Sequence, residues 1–175
     1  MTKISRDNLK EIKLLAMDVD GVLTNGSIII SSDGVESKSF NFLDGHGIKM
    51  WQRTGMKVAL ISGRESVVTK IRAEELGIDF LYQPCKKKLE CFEKLLKETD
   101  LQAKNIAYIG DDLLDLPVLK RVGFAVAVAN AVDELKHAAH YITSRTGGAG
   151  AVREVIEYIL KNTGQWDALM ERYLV

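Results

Sequence analysis

Two aspartates end the first apolar run of the chain, in Asp18-Val19-Asp20-Gly21-Val22-Leu23-Thr24. Carboxylates at the end of a buried strand are costly to desolvate unless they bind a cation or do acid–base work. Gly21 lets the chain turn sharply away from them; a solvated turn is the plainer alternative. A second apolar run ends in Ser62-Gly63-Arg64. There a hydroxyl, a glycine and a following helix can hold an anion, or Ser62 can simply cap that helix. Lys88 closes Lys86-Lys87-Lys88 at the start of an amphipathic stretch. Cations in that position oppose the helix dipole, so an anion or a carboxylate has to compensate at least one of them. Lys86 and Lys87 suit a solvated turn. Another apolar run ends in Gly110-Asp111-Asp112-Leu113-Leu114-Asp115. Its three carboxylates repel one another unless a lysine or a hard cation neutralises them, and oxygen-rich ligation suits Mg²⁺. An acidic helix start is the alternative reading.

What positions these groups is an alternation of short β-rich runs and amphipathic stretches. Strands are predicted at Leu14–Val19, Val58–Ser62, Phe80–Gln83, Ile106–Gly110, Phe124–Val128 and Tyr141–Thr143. Helices are predicted at Gly47–Thr54, Ser66–Leu76, Lys87–Glu98, Leu114–Val122, Val132–Ala139 and Gly150–Leu160. Near-continuously apolar strands, each followed by a helix, specify an α/β fold: a Rossmann-like parallel sheet with helices on both faces. Ligands bind such sheets beyond the carboxyl ends of the strands, where the four clusters fall. One segment breaks the rhythm. Residues 26–42 read as a projecting β-hairpin turning at Asp33-Gly34.

The 175 residues suit a single domain, 46% hydrophobic and 27% charged, with 24 basic and 24 acidic side chains. A formal charge of zero without a basic stripe argues against a nucleic-acid partner. No apolar run is long enough to cross a bilayer, and the polar amino-terminal stretch lacks an apolar signal core, so the expected location is cytoplasmic without membrane association. Cys85 and Cys91 match no zinc or redox spacing, and Cys91 reads as a small buried hydrophobe.

In their order and their strand-end positions the four clusters resemble the motifs of the haloacid dehalogenase superfamily. That resemblance implies a phosphatase with Asp18 as nucleophile and Asp20 as general acid and base. It also implies Mg²⁺ held by Asp18, the Asp20 backbone carbonyl and Asp111, with Ser62 and Lys88 on the phosphoryl oxygens. Asp112 and Asp115 are expected to orient water or Lys88. The gaps between Asp20 and Ser62, and between Ser62 and Lys88, leave no room for a cap domain.

The likeness narrows to capless sugar-acid phosphatases acting on 3-deoxy-D-manno-octulosonate 8-phosphate in lipopolysaccharide precursor synthesis. It runs from about Lys13 to about Leu160, through the segments at 18–24, 40–48, 110–118 and 147–154. It implies a phosphorylated sugar acid as substrate, touched by Asp20, Asn41, Asp44, Gly45, Lys49, Arg64, Arg72 and Lys88. Leu43 and Lys49 stand where arginines are usual, and losing an arginine removes bidentate carboxylate recognition. A nonulosonate 9-phosphate is the alternative substrate, and an inactive scaffold the non-enzymatic alternative. The resemblance further implies a homotetramer built through the hairpins. The tail, residues 161–175, carries Trp166, Leu169, Met170, Tyr173, Leu174 and Val175; it is expected to lie over a neighbour's site, hinged at Gly147, Gly148 and Gly150, the alternative being that it folds back on its own domain.

Overall fold

The computed structural model describes residues 5–174; Val175 of the tail and the first four residues of the amino-terminal stretch lie outside them. Six strands form one parallel sheet: β1 (Leu14–Met17), β4 (Lys57–Ile61), β5 (Phe80–Tyr82), β6 (Ile106–Gly110), β7 (Phe124–Ala127) and β8 (Tyr141–Ile142). They lie in the order β5-β4-β1-β6-β7-β8, so chain order reverses direction at β1. Each coincides with a predicted strand to within one or two residues. Every residue of β1, β6 and β7 is buried, the signature of strands covered on both faces. In one helical layer α1 (Arg6–Lys10), α2 (Phe42–Gln52) and α7 (Ala151–Thr163) pack together; α4 (Lys88–Thr99), α5 (Leu116–Leu119) and α6 (Asp133–Ala138) form the other. The remaining helices are α3 (Val67–Leu76) and α8 (Trp166–Met170). Among the described residues no helix is long and apolar enough to cross a membrane.

Helix α2 starts five residues earlier than predicted. Gly45 and Gly47 lower its intrinsic propensity, but tertiary packing requires both. A Cβ on Gly45 would sit 2.4 Å from the Arg72 guanidinium, and one on Gly47 3.0 Å from Arg153. Asn41 starts the helix, its side chain accepting the Leu43 N–H at 2.8 Å. The predicted helix at 114–122 is shorter: a 3₁₀ turn over Leu113–Asp115 precedes α5, whose first turn holds Pro117.

Segment 26–42 forms a separate antiparallel pair, β2 (Ile29–Ile30) and β3 (Glu36–Ser37). Gly34 turns it at φ +83°. Between β1 and β4 the chain holds only this hairpin and α2, and between β4 and α4 only α3 and β5, so no cap is present.

One expectation needs correction. Cys85 and Cys91 are joined in a disulfide, because the first turn of α4 carries Cys91 back over the exit of β5. The tail makes contacts within its own chain. Trp166 and Leu169 pack against the core. The Tyr173 hydroxyl lies 2.6 Å from Arg53 Nη1 and 2.9 Å from His46 Nε2, and so meets α2 and the residue that ends it. Gly147 and Gly148 serve close approach to the segment after β1, with the Gly148 N–H on the Val22 carbonyl at 2.9 Å.

Candidate active site

The carboxyl ends of β1, β4 and β6 and the start of α4 converge beside β1. Asp18, Asp20, Gly63, Arg64, Lys88 and Asp111 line a cavity of about 250 Å³ there. A larger cavity of about 360 Å³ opens near α1 and the end of α7, and no carboxylate lines it. Chemistry therefore belongs to the smaller one.

Asp18 is 8% exposed. Its Oδ1 accepts the Val19 N–H at 2.7 Å, and its Oδ2 lies 2.6 Å from Lys88 Nζ. The same Nζ is 2.6 Å from Asp115 Oδ1, which also accepts the Tyr108 hydroxyl at 2.6 Å. Asp115 Oδ2 accepts the N–H groups of Asp111 and Asp112 at 3.1 and 3.3 Å. Both Asp115 oxygens are thus occupied, one of them by Lys88. Asp112 caps the 3₁₀ turn through the Leu113 N–H at 2.7 Å and stands at the cavity rim.

Asp111 supplies the opening for a metal. Its Oδ1 is buried without a hydrogen-bond partner, an arrangement too costly to leave uncompensated. Oxygens of Asp18, Asp111 and Asp115 lie within 4.8 Å of one another. Three carboxylates against one ammonium leave two negative charges, which one divalent cation balances. Burial first, then the Asp115 carboxylate, push Asp18 up to about 7 against the opposing pull of Lys88. Burial and the Asp18 and Asp115 charges push Asp111 to about 7 as well. Burial draws Lys88 down, but Asp115 and Asp18 outweigh it and hold the ammonium above its ordinary value. Hard oxygen donors of this kind fit Mg²⁺. Gly21 is indispensable beside them: at φ +89°, a Cβ there would come within 1.9 Å of Asp111 Oδ2.

The remaining predicted residues divide. Ser62 is 1% exposed and its hydroxyl donates to the Arg64 carbonyl at 3.1 Å, so it has to rotate to donate to an anion. Gly45, Lys49 and Arg72 line a separate cavity of about 260 Å³ with Phe42, His46 and Glu75. In it Lys49 Nζ donates to the Leu76 carbonyl at 2.7 Å and Arg72 pairs with Glu75 at 2.7 Å, while Arg72 Nε is buried without a partner. Asn41 is occupied as the cap of α2. Asp44 was expected to touch substrate, but it is 1% exposed and accepts the N–H groups of Gly150 and Arg153 at 3.1 and 2.8 Å. It tethers α2 to the amino end of α7, each oxygen accepting an N–H.

Sequence reasoning missed Lys38. Its side chain is 2% exposed, and its Nζ lies 2.6 Å from Asp20 Oδ1. The signal available was a lone lysine leaving the hairpin, and nothing local distinguishes it from a solvated one.

A parallel sheet of this strand order, carrying a buried aspartate–lysine pair and an acidic cluster at its carboxyl edge, defines a haloacid dehalogenase-like hydrolase, and residues 81–156 match that family. The chain is 44% identical over 158 residues to the 3-deoxy-D-manno-octulosonate 8-phosphate phosphatase of Escherichia coli K12, covering 90% of this chain and 84% of the relative. It superimposes with a TM-score of 0.93 on the Moraxella catarrhalis phosphatase of that name, solved with a magnesium ion, a phosphate ion and a KDO molecule; identity is 42%, covering 96% of this chain and 97% of that one. A cobalt-bound Haemophilus influenzae homologue gives a TM-score of 0.87 at 39% identity, covering 90% and 92%. The chain belongs to the family of 3-deoxy-D-manno-octulosonate 8-phosphate phosphatases.

Proposed function

We propose that this protein hydrolyses 3-deoxy-D-manno-octulosonate 8-phosphate to the free sugar acid and inorganic phosphate, in lipopolysaccharide precursor synthesis in the cytoplasm. The observation that carries the reading is the buried Asp18–Lys88 pair at 2.6 Å, beside an unpartnered Asp111 oxygen. Asp18 attacks phosphorus, forming an acyl phosphate as the bond to the sugar oxygen breaks. Asp20 gives its proton to that oxygen, then takes one from the water that attacks the acyl phosphate and releases inorganic phosphate, restoring Asp18. Lys88, held by Asp115, and Ser62, once rotated, bind phosphoryl oxygens, and Arg64 at the rim meets the sugar acid. Asp18, the Asp20 carbonyl and Asp111 would hold Mg²⁺. The ion, when bound, offsets repulsion between carboxylate and phosphate and stabilises the charge of the transition state.

The cavity is shallow and no cap covers it, so water exclusion has to come from association. Ile28, Ile29, Ile30 and Val35 are 51–62% exposed on the hairpin, which supports assembly through that element as a homotetramer. Lys49, committed to the Leu76 carbonyl, favours examining nonulosonate 9-phosphates as the competing substrate class. Parallel steady-state assays with the octulosonate 8-phosphate and nonulosonate 9-phosphates decide between them. A higher kcat/KM on the eight-carbon acid is expected, and the reverse order overturns the substrate reading. No Mg²⁺-dependent phosphate release from either, or from an aryl phosphate, overturns the enzymatic reading.

A further inference from the structure

Asp20 differs from the other carboxylates of the site in what holds it. Asp18 is bound by a backbone N–H and Lys88, and Asp115 by two N–H groups, a phenol and Lys88. The Asp20 side chain has one described partner, Lys38 Nζ, at 2.6 Å. That ammonium comes from the residue just after β3, at the base of the hairpin, and its side chain is 2% exposed although the hairpin's isoleucines are more than half exposed. Glu36 continues the chain of charges. Its Oε1 is 4.0 Å from Lys38 Nζ and 3.3 Å from Arg64 Nη2, and Arg64 stands at the rim of the cavity.

A buried lysine just after a two-residue strand contributes little to stability that an apolar side chain would not match, since desolvation consumes most of the Coulombic gain. It does supply direction. A carboxylate that must reach a leaving-group oxygen and later a water needs its rotamer held to a fraction of an ångström, and misplacement by about 1 Å can cost 10²-fold in rate.

We propose that Lys38 is a positioning residue for Asp20. It holds the Asp20 carboxylate toward the scissile bond, with Glu36 Oε1 near both Lys38 and Arg64 but hydrogen-bonded to neither, so the set of the hairpin determines the set of the acid–base group. This rests on the acid–base role assigned to Asp20 above. It makes the hairpin part of the catalytic apparatus as well as a surface for association.

The test uses the full-length protein with Mg²⁺ and the octulosonate 8-phosphate, and compares Asp20→Asn, Lys38→Met, Lys38→Arg and the double variant Lys38→Met/Asp20→Asn. Lys38→Met should lower kcat by roughly 10- to 100-fold, with KM within about threefold. Lys38→Arg should recover most of that loss. In the Asp20→Asn background, removing Lys38 should change kcat by less than about twofold, because the positioned group is already gone. A loss of equal size with and without Asp20, a change confined to KM, or full activity in Lys38→Met overturns the proposal. Full activity in Asp20→Asn overturns the acid–base reading itself and the proposal with it, so the two failures are distinguishable. If Lys38→Met does not fold, Lys38→Gln in both backgrounds decides: a loss that vanishes in Asp20→Asn supports the proposal, and no loss, or a loss of equal size in both, overturns it.

Discussion

The carboxyl edge of β1 and β6 and the hairpin of β2 and β3, which follows β1 directly in the chain, obey opposite rules. At the sheet edge, Leu14 to Met17 and Ile106 to Ile109 are 0% exposed, and every polar group of Asp115 finds a partner within the chain. In the hairpin two residues pair with two, and Ile28, Ile29 and Ile30 face outward. At the sheet edge the buried charges find their partners within one chain, apart from the Asp111 oxygen. The hairpin has no core of its own and, left uncovered, is an association surface. The two regions therefore obey different physical rules, and Lys38 links them.

The largest expected effect lies at the sheet edge. Asp18→Asn should reduce turnover at least roughly 10⁴-fold, as loss of a nucleophile does, with circular dichroism and melting preserved. Acid-quenched labelling should find no phosphoprotein in this variant, and a normal burst would count against Asp18.

Lys88→Met should abolish activity and also weaken the fold, because it leaves Asp18 and Asp115 buried without their shared cation. Breaking such a pair costs on the order of 3 kcal/mol. Urea unfolding measures this, and an unchanged midpoint would show that the carboxylates need no counter-charge.

Metal removal sharpens the contrast through pH. Asp18 and Asp111 are each raised from 3.8 to about 7 in the folded, metal-free protein. The stability tied to their protonated forms is fully present below about 3.8 and is lost as pH rises through about 7. Above that pH both carboxylates are ionised and Mg²⁺ has most to compensate. The rise in melting temperature on adding Mg²⁺ should therefore be larger at pH 8 than at pH 5.5. Chelation should abolish turnover, Mg²⁺ should restore it, and Ca²⁺ should restore it poorly because its longer, looser coordination misplaces the nucleophile. Equal Mg²⁺ shifts at the two pH values would detach the ion from these carboxylates.

The smallest effect on fold is expected in the hairpin. Ile29→Lys should change monomer stability by no more than about 0.5 kcal/mol and leave the Mg²⁺-induced melting shift intact. Sedimentation should show a smaller species than the parent protein. A lost metal response would show that the two regions are not separable.

Read from residue order alone, the six strands and the four chemical clusters are legible because their signals are local. A run such as Leu14–Met17 is apolar whatever surrounds it, and a glycine after an aspartate pair announces a turn. What residue order could not decide is which long-range partner each polar group takes. Asp44 holds an N–H group 106 positions away at the start of α7. Cys85 and Cys91 match no familiar spacing, yet one helical turn joins them. Helix α2 hid its first turns behind Gly45 and Gly47, which are glycines because Arg72 and Arg153 crowd them.

The sequence by itself determined the order of strands along the chain, the carboxylates that end them and the cation they call for. Those follow from burial patterns and charge density over a few neighbouring residues. Only the tertiary structure decided that Asp115 belongs to Lys88, that Asp111 keeps a buried oxygen free, and that Lys38 reaches Asp20. A buried charge is settled by whichever opposite charge the fold brings within about 3 Å, and that distance is set by packing between elements, to which spacing along the chain is blind.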